Sequence, residues 1–305
     1  MAILERDADG DVMVRENAVL ALFIKDAPAK IAPAISRLLE RWLQLLPAGQ
    51  PSYAFVGAEA TSRRKVSKAT RAKVAAELDP TQLAGGKELA HFQLQGPGEL
   101  GPDWRFLCTL TRRAEDPENP RTNLVELLFP PDQLAGAEAI PFRRLAVELA
   151  SIVPFDSGYA APGLIWTAEE TCRKAGKVIG PLALRHPGYD INDNDTTAYH
   201  LGTRSRGARW ITFLGAPLTA ELGGRNALEK KLGAGIDVEP AGNGVAIVAG
   251  PEPEIGDVNR KEGTPLLRQV ARAIEPVTFF GDRFLDVVIA DDPEKRARWE
   301  RRLLE

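Results

Sequence analysis

Apolar positions along the first half of the chain predict strands and helices in alternation. Residues 16–25 form a nearly continuous apolar run, which is typical of a buried strand. Apolar residues then recur at helical spacing from Ile35 to Leu46, so we expect a helix that Pro47 ends. Strand-like runs separated by Gly, Pro, Asp and Asn clusters follow at residues 52–57, 91–95, 104–110 and 123–129. These runs predict an antiparallel meander.

The second half shows a similar succession of elements. We expect helices at residues 141–152, 167–178, 217–232, 265–274 and 292–304, a strand at 209–215, and a hairpin between 236 and 250. Because few strict strand–helix–strand units occur, the pattern favours an α+β fold with a mixed, mainly antiparallel sheet and packed helices. Two strands that each follow a histidine suggest pseudo-repeated lobes, 1–150 and 151–305. No linker divides the chain, so we expect residues 1–305 to form a single compact unit.

Composition and charge narrow the functional classes. The chain has 305 residues, of which 44% are hydrophobic and 27% charged, as in an ordinary folded protein. Its net charge of −3 argues against a dedicated nucleic-acid binder. Cys108 and Cys172 lie in apolar patterns, as reduced cytosolic cysteines do. No export signal and no apolar segment of about 18 residues occur, so the expected location is the cytoplasm, away from membranes.

Catalytic and metal-binding motifs are incomplete. The GPGELG segment at 96–101 leads into a strand and not into the helix that a dinucleotide site needs. The acidic segment from Asp190 resembles a calcium loop, but Asp195 stands where Gly is required and Leu201 where a bidentate Glu is required. We therefore expect no catalytic residue, no cofactor and no metal. A metal-dependent hydrolase that uses His186, Asp190 and His200 stays open as an alternative.

Two charged segments are candidate partner-binding surfaces. The first is a basic helix predicted over residues 62–78 with Ser62 as its N-cap. Its cations are Arg63, Arg64, Lys65, Lys68, Arg71 and Lys73. The second is an acidic loop that carries Asp190, Asp193 and Asp195. Charge of this kind selects partners and raises association rates, although a solvated helix face is the simpler interpretation of the basic segment.

The charged segment before residue 265 is interpreted as a structural loop. Thr264 followed by Pro265 predicts a helix start, which makes residues 256–263 the loop that precedes it. Gly256 can adopt a positive φ, while Asp257 and Asn259 can bond to their own backbone. Arg260 can then tie the loop to Asp257.

Several segments together resemble the type VI immunity family of bacterial proteins. The resemblance is carried by RHPGYDI (185–191), RWITFLGAPLTAELGG (209–224), NGVAIVAG (243–250) and PEIGDVNR (253–260), the last leading into a helix. It extends over roughly residues 140 to 280 and is looser before that. The resemblance implies a non-catalytic protein that binds and neutralises a cognate toxin of the type VI secretion machine.

The resemblance also directs the choice between the two charged surfaces. A cytoplasmic toxin that cleaves nucleic acid would have a basic substrate groove, which favours the acidic loop as its contact. An adaptor that loads a toxin onto the secretion machine is the other interpretation compatible with these residues. The oligomeric state is not determined by the sequence.

Overall fold

The computed structural model describes residues 4–6, 12–57, 62–96, 103–166, 169–281 and 293–305. These residues build one 12-stranded sheet. Its strands are β1 (Leu4–Arg6), β2 (Val12–Ile24), β3 (Tyr53–Val56), β4 (Arg64–Lys65), β5 (Leu89–Gln95), β6 (Arg105–Thr111), β7 (Asn123–Phe129), β8 (Ser157–Trp166), β9 (Asp190–Ile191), β10 (Ile211–Gly215), β11 (Ile236–Ala241) and β12 (Gly244–Ala249).

Helices pack around this sheet and connect its strands. They are α1 (Pro28–Leu45), α2 (Lys68–Glu77), α3 (Pro80–Ala84), α4 (Ala139–Ala150), α5 (Glu169–Arg185), α6 (Asn194–Thr197), α7 (Ala216–Glu221), α8 (Arg225–Lys231), α9 (Pro265–Ile274) and α10 (Pro293–Arg301). Among the described residues, no helix has the length and apolarity needed to cross a bilayer.

The strand order joins the two halves of the chain at the centre of the sheet. The order is β11-β12-β10-β8-β2-β7-β6-β5-β3-β4, with β1 against β2 and β9 against β8. Strands β2 and β8 pair antiparallel from Val14 opposite Trp166 to Phe23 opposite Ser157. The β8–β9 pair is parallel, and the other pairs are antiparallel. The predicted α+β class with a mainly antiparallel sheet is therefore confirmed, whereas the pseudo-repeated lobes are not.

One face of the sheet is covered by helices of the first half. Helix α1 buries a stripe that includes Ile31, Ile35, Leu38 and Trp42, because residues three or four apart share one side of a helix. The Trp42 ring lies 5.6 Å from that of Phe106 on β6. Helices α1 and α4 thus enclose the largest core cluster against β2, β6 and β7. The opposite face of these strands packs against Ala198 and Leu201 of the second half.

The predicted boundaries of two helices are wrong. The basic helix does not begin at Ser62: residues 64–65 instead pair with β3 as an edge strand. Helix α2 begins after Ser67, whose hydroxyl accepts a hydrogen bond from the Thr70 N–H at 3.2 Å. The helix expected over 217–232 is divided into α7 and α8 because Gly223 and Gly224 have φ values of 90° and 85°, which lie outside the helical region.

Candidate functional site

Two of the segments that carry the family resemblance lie against each other. Arg185 donates two hydrogen bonds to the Asp257 carboxylate, from Nε at 3.0 Å and from Nη2 at 2.6 Å. His186 Nδ1 lies 2.7 Å from the Gly256 carbonyl oxygen. The Gly188 N–H donates to the Ile255 carbonyl at 2.9 Å. A Cβ at position 188 would lie 1.8 Å from the Glu254 carbonyl oxygen, so this close approach requires glycine.

Asp257 organises the loop that follows. Its carboxylate accepts from the Asn259 N–H at 3.0 Å and the Arg260 N–H at 3.3 Å, and Arg260 Nε lies 3.7 Å away. Gly256 has a φ of 69°. The hydrogen bond from Arg185, followed by that guanidinium's charge and the two backbone donors, lowers the pKa of Asp257 to about 2. Both carboxylate oxygens are occupied by these donors, so Asp257 serves the turn and its contact with α5.

Asp190 lies in the first of these segments, RHPGYDI (185–191), and is fully buried. Its Oδ2 accepts from the Tyr159 hydroxyl at 2.5 Å, and its Oδ1 accepts from Arg209 Nη2 at 2.6 Å. Arg206 Nε lies 3.5 Å from the same oxygen. Burial raises the pKa of Asp190, but Arg206 and Arg209, with the hydrogen bonds, outweigh it and keep that pKa below its ordinary value. The expectation that Asp190 faces a partner is therefore corrected: its charge is used inside the protein.

A hydrogen-bonded chain leads from Asp190 to β7. The Tyr159 hydroxyl oxygen accepts from Asn194 Nδ2 at 2.8 Å, and the same amide group donates to Glu126 Oε2 at 2.7 Å. The other oxygen of Glu126 is paired with Arg105 of β6. Glu126 is 1% exposed. A carboxylate this deeply buried is costly unless it is paired and hydrogen-bonded, so these contacts fix the segment 192–195 over the sheet.

This arrangement forms a concave site, which we call the polar cleft. It has a volume of about 190 Å³ and is lined by Gln93, Arg105, Leu107, Glu126, Ile165, Trp166, Asn192, Asp193, Asn194 and Asp195. Three of the lining residues carry carboxylates, and Arg105 is the cation among them. The polar cleft therefore has an excess of negative charge.

Asp195 stands at the rim of the polar cleft. It accepts a hydrogen bond from Thr109 Oγ1 at 3.2 Å, and that hydroxyl lies 3.1 Å from His91 Nδ1. The outer edge of Asp195 is exposed, but neighbouring protein displaces much of the water around its carboxylate. This desolvation, followed by the charge of Glu126, raises the pKa of Asp195. Because Asp195 and Glu126 each disfavour ionisation of the other, a positively charged group of a partner is attracted to the polar cleft.

Comparison with known families identifies the chain. A family model described as TsiV, type VI immunity for VRR-NUC, matches residues 34–303. The chain belongs to the TsiV family. A solved structure described as a Pseudomonas aeruginosa T6SS protein is 16% identical, with a TM-score of 0.73 over 99% of this chain and 87% of that chain. This likeness shows a shared fold. No curated protein sequence matches significantly.

Helix α2 of this TsiV-family protein lies on the other face of the sheet from the polar cleft. Adjacent residues of β5 show this, because Gln93 lines the polar cleft whereas Leu94 packs towards α1 and α2. Lys68 and Arg71 of α2 are exposed, and they are thus separate from the polar cleft. Arg63 stacks over the Tyr53 ring at 4.0 Å. Tyr53 is opposite Gln95 and therefore points to the same side of the sheet as Gln93.

The three residues of the hydrolase alternative are not assembled into a metal site. His186 is bonded to Gly256, and Asp190 is held by Tyr159 and two arginines. Within the described part of the chain, no group of three or more His, Cys, Asp or Glu side chains could hold a metal ion.

Sequence reasoning missed Glu126, Arg105 and Asn194 in this TsiV-family protein. Glu126 is the charged residue of the apolar strand NLVELLF. A charge inside a buried strand needs a partner, and this was the signal that could have located the site. The identity of its partners could not be deduced, since Arg105 and Asn194 lie on other elements.

Proposed function

We propose that this TsiV-family protein neutralises a type VI nuclease toxin of the VRR-NUC class by direct, stoichiometric binding in the cytoplasm of the producing cell. The observation that carries the proposal is the family match over residues 34–303. Neutralisation requires no catalysis by the immunity protein. Consistent with a binding role, the carboxylates of Asp190 and Asp257 are held by arginines in structural contacts.

We place the toxin contact at the polar cleft. A nuclease must hold phosphates, so its substrate groove is positively charged. The polar cleft offers the opposite sign, with Asp193 and Asp195 near its rim and Glu126 deeper in its wall. An inserted Arg or Lys of the toxin would find carboxylate acceptors in a partly desolvated setting, where ion pairs are stronger than in water. Such an occupant would obstruct the groove of the nuclease.

Asp190 contributes to this surface indirectly. By fixing Tyr159, Arg206 and Arg209, it holds the start of the segment that carries Asp193 and Asp195. A preorganised segment loses less conformational entropy on binding. Of the basic residues, Lys68 and Arg71 belong to α2 on the opposite face and do not share this contact, whereas Arg63 stacks over Tyr53 at the edge of the sheet.

The decisive experiment is co-expression with the toxin gene adjacent to the gene for this chain. The wild-type protein is expected to restore growth and to co-purify with the toxin. If it does neither, the assignment is wrong and the adaptor alternative returns. Rescue without co-purification would contradict direct binding.

A second measurement tests the polar cleft. D193N/D195N removes two charges with little change of shape, and we expect association with the toxin to slow about tenfold at low salt and to become less salt-dependent. The matched control is E115Q/E118Q, which neutralises two exposed acids elsewhere on the surface. Equal rates for both variants would exclude the polar cleft as the contact while leaving toxin neutralisation intact.

A further inference from the structure

An apolar groove opens between α1, α2 and the β3–β5 part of the sheet. Leu39 and Leu43 of α1 face Val74 and Leu78 of α2 across it, and Leu94 lies on its sheet side. Its volume is about 190 Å³. Small-molecule pockets typically measure about 300 to 1,000 Å³. The groove is therefore suited to one apolar side chain of a macromolecule.

The border of this groove carries positive charge. Arg71 lines the groove, and Arg64 and Lys68 are exposed beside it. None of the three forms an ion pair with any described residue, whereas the nearby Glu77 is already paired with Lys87 at 2.8 Å. Glu40 is the acid that lines the groove. The groove therefore favours a partner segment in which one apolar side chain lies next to negatively charged residues.

This same chain carries such a segment on its surface. Residues 132–140 contain Asp132 and Glu138, both exposed and without an ion pair among the described residues. Between them lie Ala135, Gly136 and Ala137, which are small and also exposed. Ile140, in the first turn of α4, is 50% exposed.

A single exposed apolar side chain is ordinary on a protein surface. Here the case rests on the opposite charges of the 132–140 segment and the groove border, together with the exposed apolar Ile140 beside those acids. The acidic segment does not line the groove of its own protomer. Contact between them therefore requires two molecules.

We propose that the groove is a self-association site in which each protomer receives the 132–140 segment of a second copy. A twofold dimer would contain this contact twice, since an isologous interface uses the same patches on both subunits. The groove and the polar cleft lie on opposite faces of the sheet, so dimerisation leaves the polar cleft accessible. The proposal is independent of toxin neutralisation.

Charge-swapped variants of the full chain test the proposal by sedimentation velocity and light scattering. K68E/R71E makes the groove border acidic, and D132K/E138K makes the segment basic. Each variant alone brings like charges together at both contacts and is expected to be monomeric at concentrations where the wild type is dimeric. Their equimolar mixture restores opposite charges at both contacts and is expected to dimerise.

The control K230E/R272E reverses two exposed cations outside the groove and should dimerise like the wild type. We also expect the wild-type Kd to rise at least about fivefold between roughly 0.05 and 0.5 M NaCl. Melting curves establish that each variant is folded. If the wild type is monomeric at about 100 µM, the proposal is wrong. The same result is expected if the groove binds another protein. A mixture of folded variants that stays monomeric overturns the proposal as well.

Discussion

At the scale of single residues, Asp190 shows how one buried charge supports the candidate site. Two arginines, Arg206 and Arg209, share this carboxylate, and Tyr159 hydrogen-bonds to it. Removing water from three charged groups is costly, and their mutual attraction offsets that cost only while all of them are present. Loss of the Asp190 carboxylate would therefore lower stability by more than the buried network adds to it, because Arg206 and Arg209 would stay buried without a counter-charge.

Asp190→Asn is expected to lower the free energy of unfolding by about 3 to 5 kcal/mol, because it leaves buried guanidinium groups without their counter-charge. Urea denaturation measures the change. Asp195→Asn at the rim of the polar cleft is the control, and it should change stability by less than about 1 kcal/mol. Similar values for the two variants would show that the contacts of Asp190 with Arg206 and Arg209 contribute little to stability.

The pKa of Asp257 predicts a pH dependence of stability. Its folded pKa of about 2 lies below its ordinary value of 3.8. A lowered folded pKa means that the contribution is fully present above the unfolded pKa and is lost as pH falls towards the folded one. We expect Asp257→Asn to lower Tm by about 1 to 3 °C near neutral pH. The difference from wild type should shrink below about pH 4 and be nearly gone at about pH 2. A constant difference down to that pH would contradict the assigned pairing.

These two aspartates also show which parts of a site can be predicted from sequence. The turn at Asp257 follows from local chemistry, because its backbone donors lie two and three residues away. Its partner Arg185 is 72 residues distant, and no spacing rule specifies such a contact. Asp190 was expected on the surface since it sits among other acids, yet burial is decided by Tyr159 and by arginines that only the folded sheet brings near.

At the scale of elements, strands and amphipathic helices followed from the hydrophobic pattern, whereas boundaries depended on competing partners. The strand at Asn123–Phe129 and the helix at Pro265–Ile274 have the predicted limits. The basic segment does not, because residues 64–65 pair with β3 and leave Ser67 as the N-cap of α2. Pairing with an edge strand is a tertiary effect that helix propensity does not include.

This boundary gives a direct test at the element scale. Ser67→Ala should lower the free energy of unfolding by about 0.5 to 2 kcal/mol, since it removes the acceptor for the Thr70 N–H. Ser62→Ala is the matched control, because Ser62 is exposed and precedes β4. Thermal unfolding of both variants provides the comparison. A larger effect at Ser62 would indicate that Ser62 is the N-cap and that the helix extends over residues 62–78.

At the scale of the whole molecule, Arg302, which follows α10, is hydrogen-bonded to residues 187–189, which precede the polar cleft in sequence. Arg302 donates to the Pro187 carbonyl at 2.8 Å and to the Tyr189 carbonyl at 3.3 Å, and its guanidinium stacks on Trp299 at 4.0 Å. Burial, followed by repulsion from Arg209, lowers the pKa of Arg302. Together with the β2–β8 pairing, these contacts connect distant parts of the sequence.

The prediction that residues 1–305 form one unit can be tested by cooperativity. Trp42 lies in the first half and Trp299 near the C-terminus, and both are buried. Replacing either by alanine should cost about 3 to 5 kcal/mol. If β2 and β8 couple the halves, each substitution will shift one and the same unfolding transition, because a cooperative unit loses stability as a whole. Urea denaturation followed by far-UV circular dichroism, with calorimetry as a second probe, distinguishes the cases. Two transitions, with Trp42→Ala moving one and Trp299→Ala the other, would show that the lobes 1–150 and 151–305 fold separately in spite of their shared sheet.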